Sequence, residues 1–247
     1  MDELRDKVVV VTGGSRGMGR EMVLAFAERG ARVVVASRKL DNCVAVADDV
    51  RSRFGVEALP VAFNVSDWGE CDRLVETVYA EFGRVDVLVN NAGLSPLYPA
   101  LEEVSEALFD KVVAVNLRGP FRLTAVIGSR MARDGGGSIV NIGSIEAIRP
   151  SPQALPYAAA KAGLHVLGEG FAQAFGPTVR VNTVQAGPFL TDIAEHWPEG
   201  VRESMEEQVA LGRCGDPQEI VGAVLFFATS ASSYATGAVL RVDGGWR

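Results

Sequence analysis

Val8-Val9-Val10-Val11-Thr12-Gly13-Gly14-Ser15-Arg16-Gly17-Met18-Gly19 sets an apolar β-branched run directly before a glycine-rich turn. Four consecutive valines, with no polar alternation, suit a parallel strand covered on both faces. The next segment, Gly19–Gly30, carries Met22, Val23, Phe26 and Ala27 at helical spacing and ends on a glycine. Strand, tight turn and helix make the first unit of a parallel α/β sheet. The turn also has chemistry of its own. Its glycines let the backbone approach a diphosphate, and the following helix offers free N–H groups and the positive end of its dipole. The spacing is T-G-x-x-x-G-x-G rather than G-x-G-x-x-G, and any βα turn can use glycines, so other motifs have to decide.

Working outward, similar short runs recur at Arg32–Ala36, Leu59–Asn64, Val85–Asn90, Ser138–Ile142, Arg180–Val184 and Val239–Val242. Helix-length amphipathic stretches separate them, and Asp216-Pro217 opens one with a cap residue and a proline at its first position. The pattern predicts a single-domain α/β fold, a Rossmann-type doubly wound parallel sheet with helices on both faces, over residues 1–247. No linker or low-complexity tract interrupts it. The polar excursion 189–211 follows the sixth strand, where ligands bind on such sheets, and is the expected substrate lid. A packing helix pair is the competing reading.

The 247 residues are 48% hydrophobic and contain 27 glycines, which fits one large globular core. Net charge is -7 with Lys and Arg scattered, which argues against nucleic acid as a partner. Cys43, Cys71 and Cys214 form no C-x-x-C pair and read as reduced structural thiols. With His165 and His196 the only histidines, no metal site is expected. No run approaches the ~20 apolar residues of a membrane span, so a soluble, cytoplasmic protein is expected.

Candidate chemistry lies in the second half. Tyr157 and Lys161 are four residues apart, hence on one helix face, where an ammonium would favour the phenolate. Ser144 follows the fifth strand, placing a hydroxyl at the carboxyl end of the sheet. Taken singly, these are also an ordinary surface pair and a turn serine. Asn90-Asn91-Ala92-Gly93 follows the fourth strand, and Asn116 sits inside a helix-like stretch where a buried kink with a bound water would account for it.

Together these segments resemble the short-chain dehydrogenase/reductase family, in its single-domain, ketoacyl reductase-like branch, from Lys7 to Val242-Asp243-Gly244-Gly245. The resemblance implies a catalytic tetrad of Asn116, Ser144, Tyr157 and Lys161. Tyr157 would exchange the proton, Ser144 hold the substrate oxygen, Lys161 lower the tyrosine pKa and bind the nicotinamide ribose, and Asn116 hold a relay water. It implies cofactor contacts from Gly13, Ser15, Arg16, Gly17, Met18 and Gly19, and from Asn91, Ala92 and Gly93. After the sixth strand, Ala186 occupies a position where the family has proline and Pro188 follows, so a shifted or looser turn is expected, with Gly187 and Thr191 still at the nicotinamide.

The second strand ends in Ser37-Arg38-Lys39 with no acid before Asp41. Arg38 suits a 2′-phosphate, Ser37 adds a hydrogen bond, and Arg16 is a second cation for it, so NADP(H) is the expected cofactor over NAD(H). Asn64, followed by Val65, replaces the family's common aspartate beside the adenine, and its amide is expected to accept from the adenine amine.

The expected function is hydride transfer between nicotinamide and a carbonyl or secondary alcohol on a small molecule. A catalytically silent nucleotide-binding regulator of the same fold is the alternative, and an epimerase working through a transient ketone is another. The substrate stays open. Glu146 and Arg149 are charged candidates beside it; Leu94, Leu97, Leu155, Phe189, Leu190, Ile193 and Trp197 are apolar ones. The family also implies a homo-oligomer, a tetramer or dimer, with Trp246-Arg247 reaching a neighbouring subunit.

Overall fold

The structure is a computed structural model that describes residues 3–191, 194 and 200–247. Ile193, His196 and Trp197 therefore lie outside the described residues. Strands β1 (Val8–Thr12), β2 (Arg32–Ser37), β3 (Ala58–Ala62), β4 (Val87–Asn90), β5 (Gly137–Ser144), β6 (Val179–Ala186) and β7 (Val239–Val242) form one sheet in the order 3-2-1-4-5-6-7. Every pairing is parallel. The order reverses between β1 and β4, and such a reversal opens a crevice at the carboxyl ends of the strands.

The valine run explains the layers. Val9 and Val11 pack on one face, with α1 (Gly17–Glu28), α2 (Leu40–Phe54) and α8 (Val221–Ala228). Val8 and Val10 pack on the other, with α3 (Trp68–Phe82), α5 (Gly119–Arg133) and α6 (Leu155–Phe175). Alternate side chains of one strand thus feed two cores, which is why none of residues 8–11 is polar. None of the described helices is long and apolar enough to cross a membrane. The three cysteines are free and buried, as expected.

Boundaries differ from the sequence expectation where side chains take over backbone hydrogen bonds. β3 stops at Ala62 because Asn64 Oδ1 accepts from the N–H and hydroxyl of Ser66, turning the chain. β4 begins at Val87 rather than Val85; Asp86 spends its carboxylate on the Val8 N–H at 2.9 Å. β5 and β6 run longer, pairing residue by residue from Gly137↔Val179 to Ser144↔Ala186. The expected kink around Asn116 is real: α4 (Glu106–Val113) passes into a π-helical turn, Ala114–Arg118, before α5.

The start of α5 abuts the cleft wall. A Cβ on Gly119 would collide with the Val65 carbonyl oxygen and side chain. Gly119→Ala should cost about 1–3 kcal/mol through overpacking against backbone, read as a lower midpoint in urea with an unchanged slope.

Candidate active site

One cleft runs along the carboxyl ends of β1, β4, β5 and β6. All of the expected site residues line it except Asn116. Its floor is the glycine turn. Gly13 and Gly17 have φ of +67° and +50°, and a Cβ on Gly19 would strike the Gly13 carbonyl. The turn is therefore a bare-backbone cradle, open where phosphate oxygens could meet N–H groups. Thr12 fixes the cradle from below. Its hydroxyl accepts from the N–H groups of Asn91 and Ala92, each at 3.0 Å, and donates to the Val89 carbonyl at 3.3 Å. Asn91 donates its amide to the carbonyls of Thr12 and Gly13 at 2.8 and 3.3 Å, so its side chain braces the turn. Thr12 was absent from the expected site; a threonine closing a strand carries no signal that its hydroxyl ties two loops together.

At the far end of the cradle, Ser15 Oγ donates to Ser37 Oγ at 2.9 Å, and Arg16 and Arg38 are exposed on the lining. Met18 and Val65 line the same space, and Thr191 lies over Gly17, 3.4 Å from where its Cβ would be. Asn64 departs from its expected role. Its carbonyl oxygen is occupied by Ser66, so the amide nitrogen is what remains for a ligand.

At the opposite end of the cleft, β5 delivers Ser144 and α6 delivers Tyr157 and Lys161. Ser144 is 8% exposed, and its Oγ accepts from the Glu146 N–H at 3.2 Å. Lys161 is 3% exposed; its Nζ donates to the Ile142 carbonyl at 2.7 Å and lies 5.6 Å from the centre of the Tyr157 ring. Asn116 is fully buried behind the lining. It donates to the carbonyls of Leu94 at 2.8 Å and Val112 at 2.9 Å and accepts from the Leu94 N–H at 3.2 Å. Both amide protons are thus committed to protein rather than to a water, and the side chain pins the loop after β4 to the π-helical turn.

Burial, not the neighbouring cation, dominates both titrations. It raises the Tyr157 pKa above the ordinary value; a hydrogen bond to Ser144 opposes this and the charge of Glu146 adds to it. Burial lowers Lys161 from 10.5 to about 8. The expected depression of the tyrosine by the lysine is not the main effect here, because burial outweighs it.

The turn after β6 is packed closely against the end of β7. The Gly187 N–H donates to the Val242 carbonyl at 3.0 Å, and a Cβ on Gly187 would come within 2.6 Å of Asp243 Cα. Both ends of the excursion 189–211 are anchored. Phe189 bridges Gly215, and Val209 bridges Trp246 in antiparallel fashion beyond α7 (Val201–Gln208). The tail pairs with its own chain: Trp246 is half-buried, and the Arg247 N–H donates to the Gln208 carbonyl at 3.0 Å. Of the substrate-side candidates, Leu94 lines the cleft, Phe189 belongs to the core, and Leu97 and Leu155 are exposed. Glu146 accepts from the Ser151 N–H at 2.7 Å, which braces its own loop.

Residues 13–247 match the family model described as enoyl-(acyl carrier protein) reductase. The chain is 37% identical over 246 residues to a 3-oxoacyl-(acyl-carrier-protein) reductase of Thermotoga maritima, covering 98% of each. It is 38% identical to an L-rhamnose 1-dehydrogenase (NAD(P)(+)) of Azotobacter vinelandii, covering 98% of this chain and 97% of that one. Among solved structures, the L-sorbose reductase of Gluconobacter frateurii complexed with NADPH and L-sorbose superposes with a TM-score of 0.92 at 28% identity, over 100% and 98% of the chains.

The buried lysine has a cost in stability. Between pH 8 and 10.5 the unfolded chain keeps a proton on Lys161 that the folded chain has released, so stability rises with pH there. The penalty below pH 8 is about 3 kcal/mol by the free-energy equivalent of that shift. Lys161→Met should therefore be more stable than wild type at pH 7, with the gap closing toward pH 10.5 in parallel urea titrations.

Proposed function

The chain belongs to the short-chain dehydrogenase/reductase family, and we propose that within it the protein is an NADP(H)-dependent oxidoreductase interconverting a carbonyl and a secondary alcohol, with Tyr157 as general acid/base. One observation carries this reading. Ser144, Tyr157 and Lys161 close one end of the cleft whose other end is the bare glycine cradle with Ser37 and Arg38. The cradle suits a dinucleotide because Gly13, Gly17 and Gly19 leave backbone where side chains would fill the space.

When bound, the nicotinamide supplies or receives the hydride. In reduction Tyr157 gives its hydroxyl proton to the carbonyl oxygen, and in oxidation it takes the proton from the alcohol. Ser144 Oγ holds that oxygen as charge develops on it. Lys161, with its pKa near 8, stands in the range where it can return a proton to the phenolate at neutral pH. Asn116 holds the Leu94 backbone, and Gly93 lies beside Lys161 Nζ, so the loop and the lysine stay in register. Ala92, Gly187 and Thr191 complete the cofactor wall.

The preference for NADP(H) rests on Arg38 and Arg16 beside the Ser15–Ser37 hydroxyl pair, with no carboxylate before Asp41. The structural neighbour complexed with NADPH agrees with it. The substrate is a small molecule; the relatives' names span an acyl thioester, an aldose and a ketose, so the reaction is better constrained than the substrate. Residues 189–211 serve as the lid, held at both anchored ends. Phe109, Phe121 and Val166, exposed on α4, α5 and α6, fit assembly into a homo-oligomer, and the protein works in the cytoplasm.

Two substitutions test this reading. Tyr157→Phe should reduce turnover of carbonyl substrates by about a thousandfold while NADPH still binds by fluorescence titration; full activity would remove Tyr157 from its role. Arg38→Asp should invert the NADPH/NADH ratio of kcat/KM, and an unmoved ratio would mean Arg38 does not read the 2′-phosphate.

A further inference from the structure

One half-buried titratable group has no part in the reaction described above. His165 lies one helical turn beyond Lys161 on α6, and its Nε2 is buried with no hydrogen-bond partner. The ring is wedged on β5. A Cβ on Gly143 would collide with His165 Nε2, so the glycine exists there to admit the imidazole. Gly143 joins the two working residues of β5: Ile142, whose carbonyl anchors Lys161, and Ser144.

The surroundings are unsuited to a charged ring. An imidazolium carries two N–H donors and needs two acceptors. Gln185, the register partner of Gly143, leaves its own buried amide nitrogen unpartnered, so no acceptor is seen waiting at this point of the sheet. On α6 the charges acting on His165 are Lys161, which opposes protonation, and the exposed Glu169, which favours it. β5 carries no titratable side chain. The one on β6, Arg180, is turned to Ser232 and Thr229. Burial and Lys161 together hold the imidazole below its usual range.

We propose that His165 is a positioning residue for Lys161: its uncharged ring, seated on Gly143, keeps the Ile142 carbonyl in reach of the ammonium, and a proton arriving on the ring breaks that arrangement. The proton comes from solvent and is returned to it, with no bond made or broken elsewhere. A second cation one turn from Lys161, with no acceptor to receive its new N–H, is relieved by displacing the ring, the strand end or the ammonium. The acid limb of activity then belongs to His165, although it touches neither substrate nor cofactor. The part about activity rests on Lys161 working with Tyr157; the coupling between His165 and Lys161 does not.

The test has two arms on the full-length protein. In the first, ring resonances of His165 are followed against pH by NMR, with His196→Gln to leave a single histidine. The midpoint should lie below the ordinary 6.5 and rise by about half a pH unit or more in Lys161→Met, as loss of a nearby like charge requires. An identical midpoint in both proteins overturns the coupling. In the second, kcat/KM is profiled downward from pH 8. With the profile carried down to one pH unit below the midpoint found in the first arm, the ratio of His165→Leu to wild type should climb about tenfold toward acid pH. A flat ratio, even with a uniform rate loss, makes His165 a packing residue and overturns the proposal. If wild type turns over no substrate, the functional reading fails, and the NMR arm still decides the coupling.

Discussion

An ammonium group taken out of water must be met by an acceptor, and for Lys161 that acceptor is the Ile142 carbonyl at 2.7 Å. Much of the site is arranged around this contact. Ile142 presents its carbonyl because β5 runs past it to Ser144, in register with β6 to its last residue. Lys161 arrives because α6 packs on the same sheet, and Gly143 has no side chain to push the helix away. Asn116 closes the other side, tying the loop after β4 to the π-helical turn next to the lysine. The folded state accepts a destabilising buried cation, and the same desolvation leaves that cation able to part with its proton near neutral pH.

The two ends of the cleft are built on different principles. The end with Ser144, Tyr157 and Lys161 relies on side chains from β5 and α6, held by packing. The cradle end relies on backbone, and its shape is kept by hydrogen bonds that cross the switch point between β1 and β4. Thr12 and Asn91 make those bonds, from either side of the reversal. A turn with four glycines among residues 13–19 needs such bracing, since glycines supply no packing to hold a conformation.

Much of this was legible in the sequence. The valine run of β1, with its glycine turn, predicts a buried strand in a parallel sheet, and the seven strands lie within a few residues of their expected bounds. Strand ends were misjudged where a side chain supplants a ladder bond, as Asp86 and Asn64 do; single-sequence patterns register residue type but not the partner it finds. Tyr157, Lys161 and Ser144 were readable from spacing and resemblance, and the structure brings them to one cleft. Less visible were effects set by three-dimensional neighbours. The bonds of Asn116 to Leu94 and the seat of His165 on Gly143 depend on residues distant in the chain, the occupied oxygen of Asn64 on the local turn that Ser66 adopts, and the dominance of burial at Tyr157 on the packing around it.

The pairing of the C-terminal tail with residues 208–211 has a practical side. Gly244 and Gly245 receive the N–H groups of Leu211 and Ala210, and Arg247 bonds back to Gln208, so the last residues form the fixed rail beneath the exit of the 189–211 segment. Load applied beyond Arg247 passes along that rail to residues 208–211. The opposite end of the chain enters β1 at the amino edge of the sheet, with Lys7 bonded to Asp86, a full strand length from the glycine cradle. An affinity handle, a surface-attachment point or a fluorescent partner belongs at that end, where its motions are mechanically separate from the cleft.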